Sequence, residues 1–586
     1  MQGLCRPLGA AGILFMILAA CTPAAPPRGQ PAAVPDSGSP ARSPQDAVSK
    51  TMVLITYGEP DALAGTSMVA PAGSTAGRRR LFNAGLTLLD GGLRPLPYLA
   101  ESLPQLDTPS WRVFPDERME TTYRLRADLA WHDGAPLTAD DFVFAHQVYS
   151  TPELGQSGTE PIPLIESVLA PDPRTVVFRW RGAYPEAGVL ESVVSTGVPT
   201  GGPSFTPLPR HILGPIYQDQ RDTFLLHPYS TVAFVGAGPY RLDRWLVGEF
   251  IEAVAFDRHA LGRPKIDRVR IIWNQDQSVV LSTILSGDAH VAIDGVISLE
   301  AGLVLRREWA SRGGGEVQFS PKNLRYIALQ SRAAHASPRA ILDVRVRKAL
   351  AYTIDKQALI DGIWEGLAIA TDSVMHPTVP YFQELDRTVA KYPYDPRRAD
   401  ALMQEAGYLK AGGGFYESPD EGRLMLQIAS SGGQIAKERA ALADGWRRGG
   451  IDVEDREFSA ADRRDGQVMA TFRSMHISGA PPGLQAMGFF SSGTIPSAEN
   501  RWVGGNLGGW SLPEYDRALQ AVRTTLEPGA RGRTVIELTR IASEHLPSFS
   551  LYFVPWVNLL PAAVQGMDMQ SGNAEQTWNI HQWELR

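Results

Sequence analysis

The stretch from Tyr123 to Tyr149, YRLRADLAWHDGAPLTADDFVFAHQVY, leaves the backbone few courses. Tyr123, Leu125, Leu129 and Trp131 set a half-buried strand pattern. His132-Asp133-Gly134 breaks it, because glycine takes a positive φ without steric penalty. Thr138-Ala139-Asp140-Asp141 has the form of a capping box, offering a hydroxyl and a carboxylate to the free N–H groups of a helix start. Phe142, Ala145, Val148 and Tyr149 follow at helical spacing. The local prediction is strand, tight turn, capped helix.

A chain of 586 residues exceeds one compact core, so two or more lobes are expected. The net charge of -7 is modestly acidic and no basic run stands out, which argues against a nucleic-acid partner. The sequence holds no HExxH, no GxSxG and no GxxxxGK. Gly236-Ala237-Gly238 is followed by a strand pattern and not by Lys-Ser/Thr, so a phosphate loop is a poor reading. The histidines are scattered, His132 belongs to a turn, and Asp140-Asp141 is explained by capping. No enzyme, cofactor or metal site is expected.

Strands are predicted at 52–57, 176–180, 269–273, 324–330, 424–428, 451–453 and 551–553, with a hairpin turning at Val247-Gly248. Helices are predicted at 279–286 and 437–449. Asp343 and Asp355 are expected to cap two more, and Gly407 to end another. Alternation of strand and helix in the later part implies an α/β lobe with a mixed sheet.

Several of these stretches together resemble the family-5 solute-binding proteins of ABC importers, the dipeptide, oligopeptide and nickel-binding group. Leu125-Arg126, Trp131-His132-Asp133-Gly134, Pro136-Leu137-Thr138-Ala139, Asp141, Phe144 and Ala145 fill one signature. Pro95 to Ser102 fills a second, with Leu103 where tryptophan is usual. Val235-Gly236-Ala237-Gly238-Pro239-Tyr240 fills a third, with Ala237 in place of the common hydroxyl residue. Asp343 to Lys356 and Tyr394 to Tyr408 match two more. The resemblance covers most of residues 50–586. It implies a two-lobed α/β fold of the periplasmic-binding-protein type II class, with an extra subdomain inserted in the first lobe. The expected organisation is a first lobe at 51–300 with the insertion at about 75–190, a second lobe at 301–550, and a return to the first lobe at 551–586.

The only cysteines are Cys5 and Cys21. Arg6, the apolar run Leu8–Ala20 and Leu18-Ala19-Ala20-Cys21 resemble a bacterial lipoprotein leader, with residues 1–20 removed and Cys21 lipidated. A plain signal peptide cut near Ala20 is the alternative. Residues 21–50 are rich in Pro, Ala and Ser and read as a tether to the membrane. The protein is expected outside the cytoplasm, held on a membrane, and monomeric.

By resemblance, the chain captures peptides or peptide-like solutes between its lobes and passes them to permease and ATPase subunits. A metal-chelate receptor is a variant of this reading. A lipoprotein of the same fold that senses, chaperones or captures wall fragments is the alternative. Candidate ligand contacts are Gly65, Thr66, Tyr326, Trp446, Ser478, Gly479, Phe489 and Trp510. One departure bears on the ligand. Peptide-binding members carry an aspartate that pairs with the peptide ammonium, whereas Ser474 to Pro482 contains no acid. A buried ammonium without a carboxylate is costly. Either Asp455 or Glu457 replaces it, or the ligand is a blocked peptide, a sugar, an opine-like molecule or a polar conjugate.

Overall fold

A computed structural model describes residues 50–66, 76–192, 204–570 and 574–586. The leader, Cys21 and nearly all of the tether lie outside them. The molecule has two lobes, each built on its own sheet.

The first lobe holds a five-stranded sheet in the order Val291–Ala292, Thr51–Thr56, Arg268–Trp273, Phe250–Ala255, Tyr240–Leu246. Thr51–Thr56 runs parallel to both of its neighbours. The hairpin after Tyr240 turns at Gly248, whose φ is 83°. A separate antiparallel sheet orders Trp111–Val113, Met119–Arg124, Thr175–Trp180 and Ile165–Asp172. The helix Ala139–Tyr149 packs on it, burying Phe142, Ala145, Val148 and Tyr149 beside Tyr123, Phe178 and Trp180. Both sheets share one apolar core.

The second lobe is built on a six-stranded mixed sheet. Its order is Ile369–Ala370, Ser548–Pro561, Gly315–Leu329, Met475–Ala480, Met425–Ser430, Asp452–Glu457. The two long strands pair antiparallel from Gly315↔Pro561 to Ala328↔Ser548. One end of this ribbon packs with first-lobe residues: Val317, Val557 and Leu559 share a core with Ile55, Ala292 and Val296. Its other end lies in the second lobe, where Ile327, Phe549 and Leu551 join Leu350, Ile428 and Ile477. Two continuous strands therefore run from one lobe into the other.

The helix caps follow the sequence. Asp343 accepts from Arg345 N–H before Val344–Tyr352, and Asp355 from Ala358 N–H before Lys356–Trp364. Gly407 has φ 88° just past Pro396–Glu405. Boundaries shift elsewhere. The strand expected at 424–428 is Met425–Ser430, and the helix expected from Lys437 begins at Gln434, after a Gly433 with φ 74°. The strand expected to run on to Trp131 ends at Arg124. Trp131 instead folds inward, 2% exposed, and its Nε1 donates to Asp141.

Candidate functional site

The His-Asp-Gly turn is a structural joint. His132 N–H donates to Gly236 O, and Gly236 N–H donates to His132 Nδ1. His132 Nε2 lies 3.0 Å from Gly238 O, so the neutral ring accepts at one nitrogen and donates at the other. Burial lowers the ring's pKa to about 4. Gly238 lies so close to the Leu81–Asn83 backbone that an added Cβ would sit 2.4 Å from Phe82 C. The two signature stretches thus lock each other, and neither belongs to a reactive site.

A five-residue helix of the first lobe, Ala76–Arg80, has Arg78, Arg79 and Arg80 all buried. Arg78 pairs with Asp294 at 3.5 Å and donates to Thr56 Oγ1. Arg80 pairs with Glu191. Burial pushes Asp294 up to about 6, against the pull of Arg78. Gly295, with φ 69°, presses against Trp556 of the crossing ribbon; a Cβ there would fall 2.0 Å from the indole. Lys322 enters the same junction from the ribbon. It occupies a bulge, where Pro321 pairs with Pro555 and Asn323 with Val554. A bulge re-aims the extra side chain. The ammonium lies 4.7 Å from the Trp556 ring centroid and 3.7 Å from Glu575.

A second contact joins the lobes. Arg531, on the second-lobe helix Pro528–His545, donates to Glu186 in the first. Both side chains are largely buried, at 16% and 12% exposure.

The candidate ligand residues fall into three groups. Gly65 and Thr66 are buried in the first lobe. Gly65 N–H donates to Asn83 Oδ1, and Asn83 Nδ2 donates to Leu63 O and Arg79 O, so this loop is tied to the arginine helix. Thr66 Oγ1 lies 3.0 Å from Ser204 Oγ. Tyr326, Phe489 and Trp510 gather around one second-lobe core, with Val535 and Leu538 of the Arg531 helix. Tyr326 is paired with Ser478, and Arg325 with Gly479. Trp446 stands apart from them, in a different core, its Nε1 donating to Leu350 O. It lines a cavity of about 520 Å³ walled entirely by second-lobe residues, among them Ile354, Tyr394, Lys410 and Tyr416.

The acids near the strand Met475–Ala480 are engaged. Asp455 and Glu457 both pair with Arg439. Glu438 pairs with Arg325 at 2.7 Å and accepts from Tyr552 Oη. The sequence reading passed over Arg78-Arg79-Arg80. The signal available was three successive arginines leading straight into an apolar segment of an acidic chain. Among the described residues, no group of three or more His, Cys, Asp or Glu side chains could hold a metal ion, and no helix is long and apolar enough to cross a membrane.

Residues 96–497 match the family model of bacterial extracellular solute-binding proteins, family 5, middle region. A putative ABC transporter peptide-binding protein of Brucella ovis is 24% identical over 340 residues, which is 56% of this chain and 57% of that protein's length. The chain thus matches little more than half of that relative. An oligopeptide-binding protein from Thermus thermophilus, solved with a pentapeptide, superposes with a TM-score of 0.71 at 20% identity, covering 91% of this chain and 96% of that one. NikZ from Campylobacter jejuni, solved with Ni(L-His), superposes with a TM-score of 0.70 at 20% identity, covering 91% and 99%. These relatives are binding proteins and not enzymes. The chain belongs to the bacterial extracellular solute-binding proteins of family 5.

Proposed function

We propose that this protein is the extracytoplasmic substrate-binding component of an ABC importer. It captures a peptide or peptide-like solute between its lobes, closes by hinge motion and hands the solute to a membrane permease. The observation that carries this reading is the crossing ribbon. Gly315–Leu329 and Ser548–Pro561 stay paired from one lobe core into the other, so the lobes can rotate about them without breaking the sheet. The family match supports it. Relatives named for peptides and a neighbour solved with a nickel chelate bracket the solute class.

A thermal-shift titration of dialysed mature protein tests the ligand class, using free and N-acetylated tri- to pentapeptide pools. A ligand at 100 times its Kd adds about 2.7 kcal/mol of stability, enough to read. Stabilisation by either pool is the expected result. Loss of the effect on acetylation would show an ammonium anchor. No shift from either pool would overturn the peptide assignment and direct the search to sugars, chelates and wall fragments.

We also infer that residues 1–20 are a leader and that Cys21 carries the lipid anchor, with 21–50 as tether. Radiolabelled palmitate should enter the protein and be lost in Cys21→Ser; equal labelling of both would refute the anchor.

A further inference from the structure

The second-lobe cavity beside Trp446, about 520 Å³ in volume, falls within the range of about 300 to 1,000 Å³ that small-molecule sites occupy. A glycine keeps it open. Gly445 lines the cavity from inside the helix Gln434–Arg448, where glycine is a poorer helix former than alanine. A Cβ at Gly445 would meet nothing within 4 Å, and its φ is not positive, so neither packing nor backbone geometry calls for glycine there. What the missing side chain leaves is room in the cavity. Tyr394 lines it too. This tyrosine is 56% exposed, and among the described residues no hydrogen bond, ion pair or ring contact reaches its side chain.

The lining is charged as well as aromatic. Lys410 pairs with Asp400 at 2.9 Å and lies 4.9 Å from the Tyr416 ring centroid, so one aromatic wall already accommodates a cation. Arg448 pairs with Asp444. Among the described residues, Asp355 has no cationic partner. It caps Lys356–Trp364 by accepting from Ala358 N–H, and the adjacent Lys356 is turned to Asp372 and to Thr371 O. The last turns of Gln434–Arg448, the negative end of that helix, form a further wall. The charge left over in the cavity is negative.

We propose that this cavity is a second binding site, built wholly within the second lobe, for a small amphipathic cation: an amine or quaternary ammonium on an apolar body. The cationic head pairs with the Asp355 carboxylate, and the ring of Tyr394 attracts it further. The apolar body lies along Ile354, Leu359 and Trp446, over the gap at Gly445.

The test uses dialysed mature protein, wild type, Asp355→Asn and Gly445→Leu, and isothermal titration calorimetry with three probes of similar shape: phenethylamine, phenethyl alcohol and phenylacetate. Asparagine keeps the helix cap while removing the charge, and leucine is the better helix former and fills the gap, so both variants should melt no more than a degree or two below wild type. The wild type should bind the amine at least tenfold more tightly than the alcohol, and the alcohol more tightly than the acid. Asp355→Asn should weaken the amine at least tenfold and leave the alcohol unchanged. Gly445→Leu should weaken the amine and the alcohol alike. Equal binding of amine and alcohol by the wild type would overturn the cationic class. No binding of any probe, or amine binding unchanged in Gly445→Leu, would overturn the site itself. If one variant fails to fold, the other decides by the same criteria.

Discussion

His132 shows how one side chain can be read correctly in type and still hide its purpose. Its sequence context predicts a turn and no ligand chemistry. What it holds, the backbone of Gly236 and Gly238, lies about a hundred residues away, and nothing local announces that. Replacing it with glutamine should cost about 3 kcal/mol in urea unfolding at pH 7, since two buried hydrogen bonds are disturbed and the ring volume is lost. The cost should also depend on pH. The folded pKa, about 4, lies below the ordinary 6.5. Acid therefore protonates the unfolded chain first and favours unfolding. The wild-type advantage over His132→Gln is complete above about pH 6.5 and shrinks as the pH falls towards 4. A gap that stays constant over that range would show that the ring is not held neutral. The burial of Arg78, Arg79 and Arg80 was illegible for a related reason. Burial and pairing are properties of the assembled junction, which Asp294, Glu191 and Trp556 reach from distant parts of the chain.

Elements were legible where their end signals are local. The aspartate caps at 343 and 355 and the glycine at 407 each act within one helical turn, so sequence alone located those helix ends. Strand limits were less legible, because a strand stops where its partner stops. Met119–Arg124 ends with the reach of Thr175–Trp180, and not where its own apolar pattern ends. Contacts between elements of different lobes were beyond reach altogether. The Pro528–His545 helix meets the Pro185–Gly188 turn through Arg531 and Glu186. Burial raises the Glu186 carboxyl pKa while Arg531 opposes the rise, so this pair matters most when the lobes are together. Arg531→Ala leaves the acid buried and alone in the closed form, which should shift the population towards open. Small-angle scattering of the ligand-free variant should give a larger radius of gyration than wild type, and adding Glu186→Gln should reverse part of the change. An unchanged radius in Arg531→Ala would mean that the pair does not hold the lobes.

At the scale of the whole molecule, the two-lobed architecture was readable from length and from the long signature stretches, while the sheet order was not. Pairings such as Thr51–Thr56 with Arg268–Trp273, or Gly315–Leu329 with Ser548–Pro561, join segments more than 200 residues apart. Their selection depends on which faces remain unburied after local folding, and periodicity alone does not reveal that. The ribbon also has a consequence for folding. Its second strand lies near the end of the chain, and Ile580 and Trp583 complete the first-lobe core. Neither lobe can close its core until Ser548–Pro561 has joined its sheet, and the first lobe also needs Ile580 and Trp583. The two lobes are therefore coupled in folding as well as in motion, because the strand that joins them is also a strand each of them lacks until it arrives.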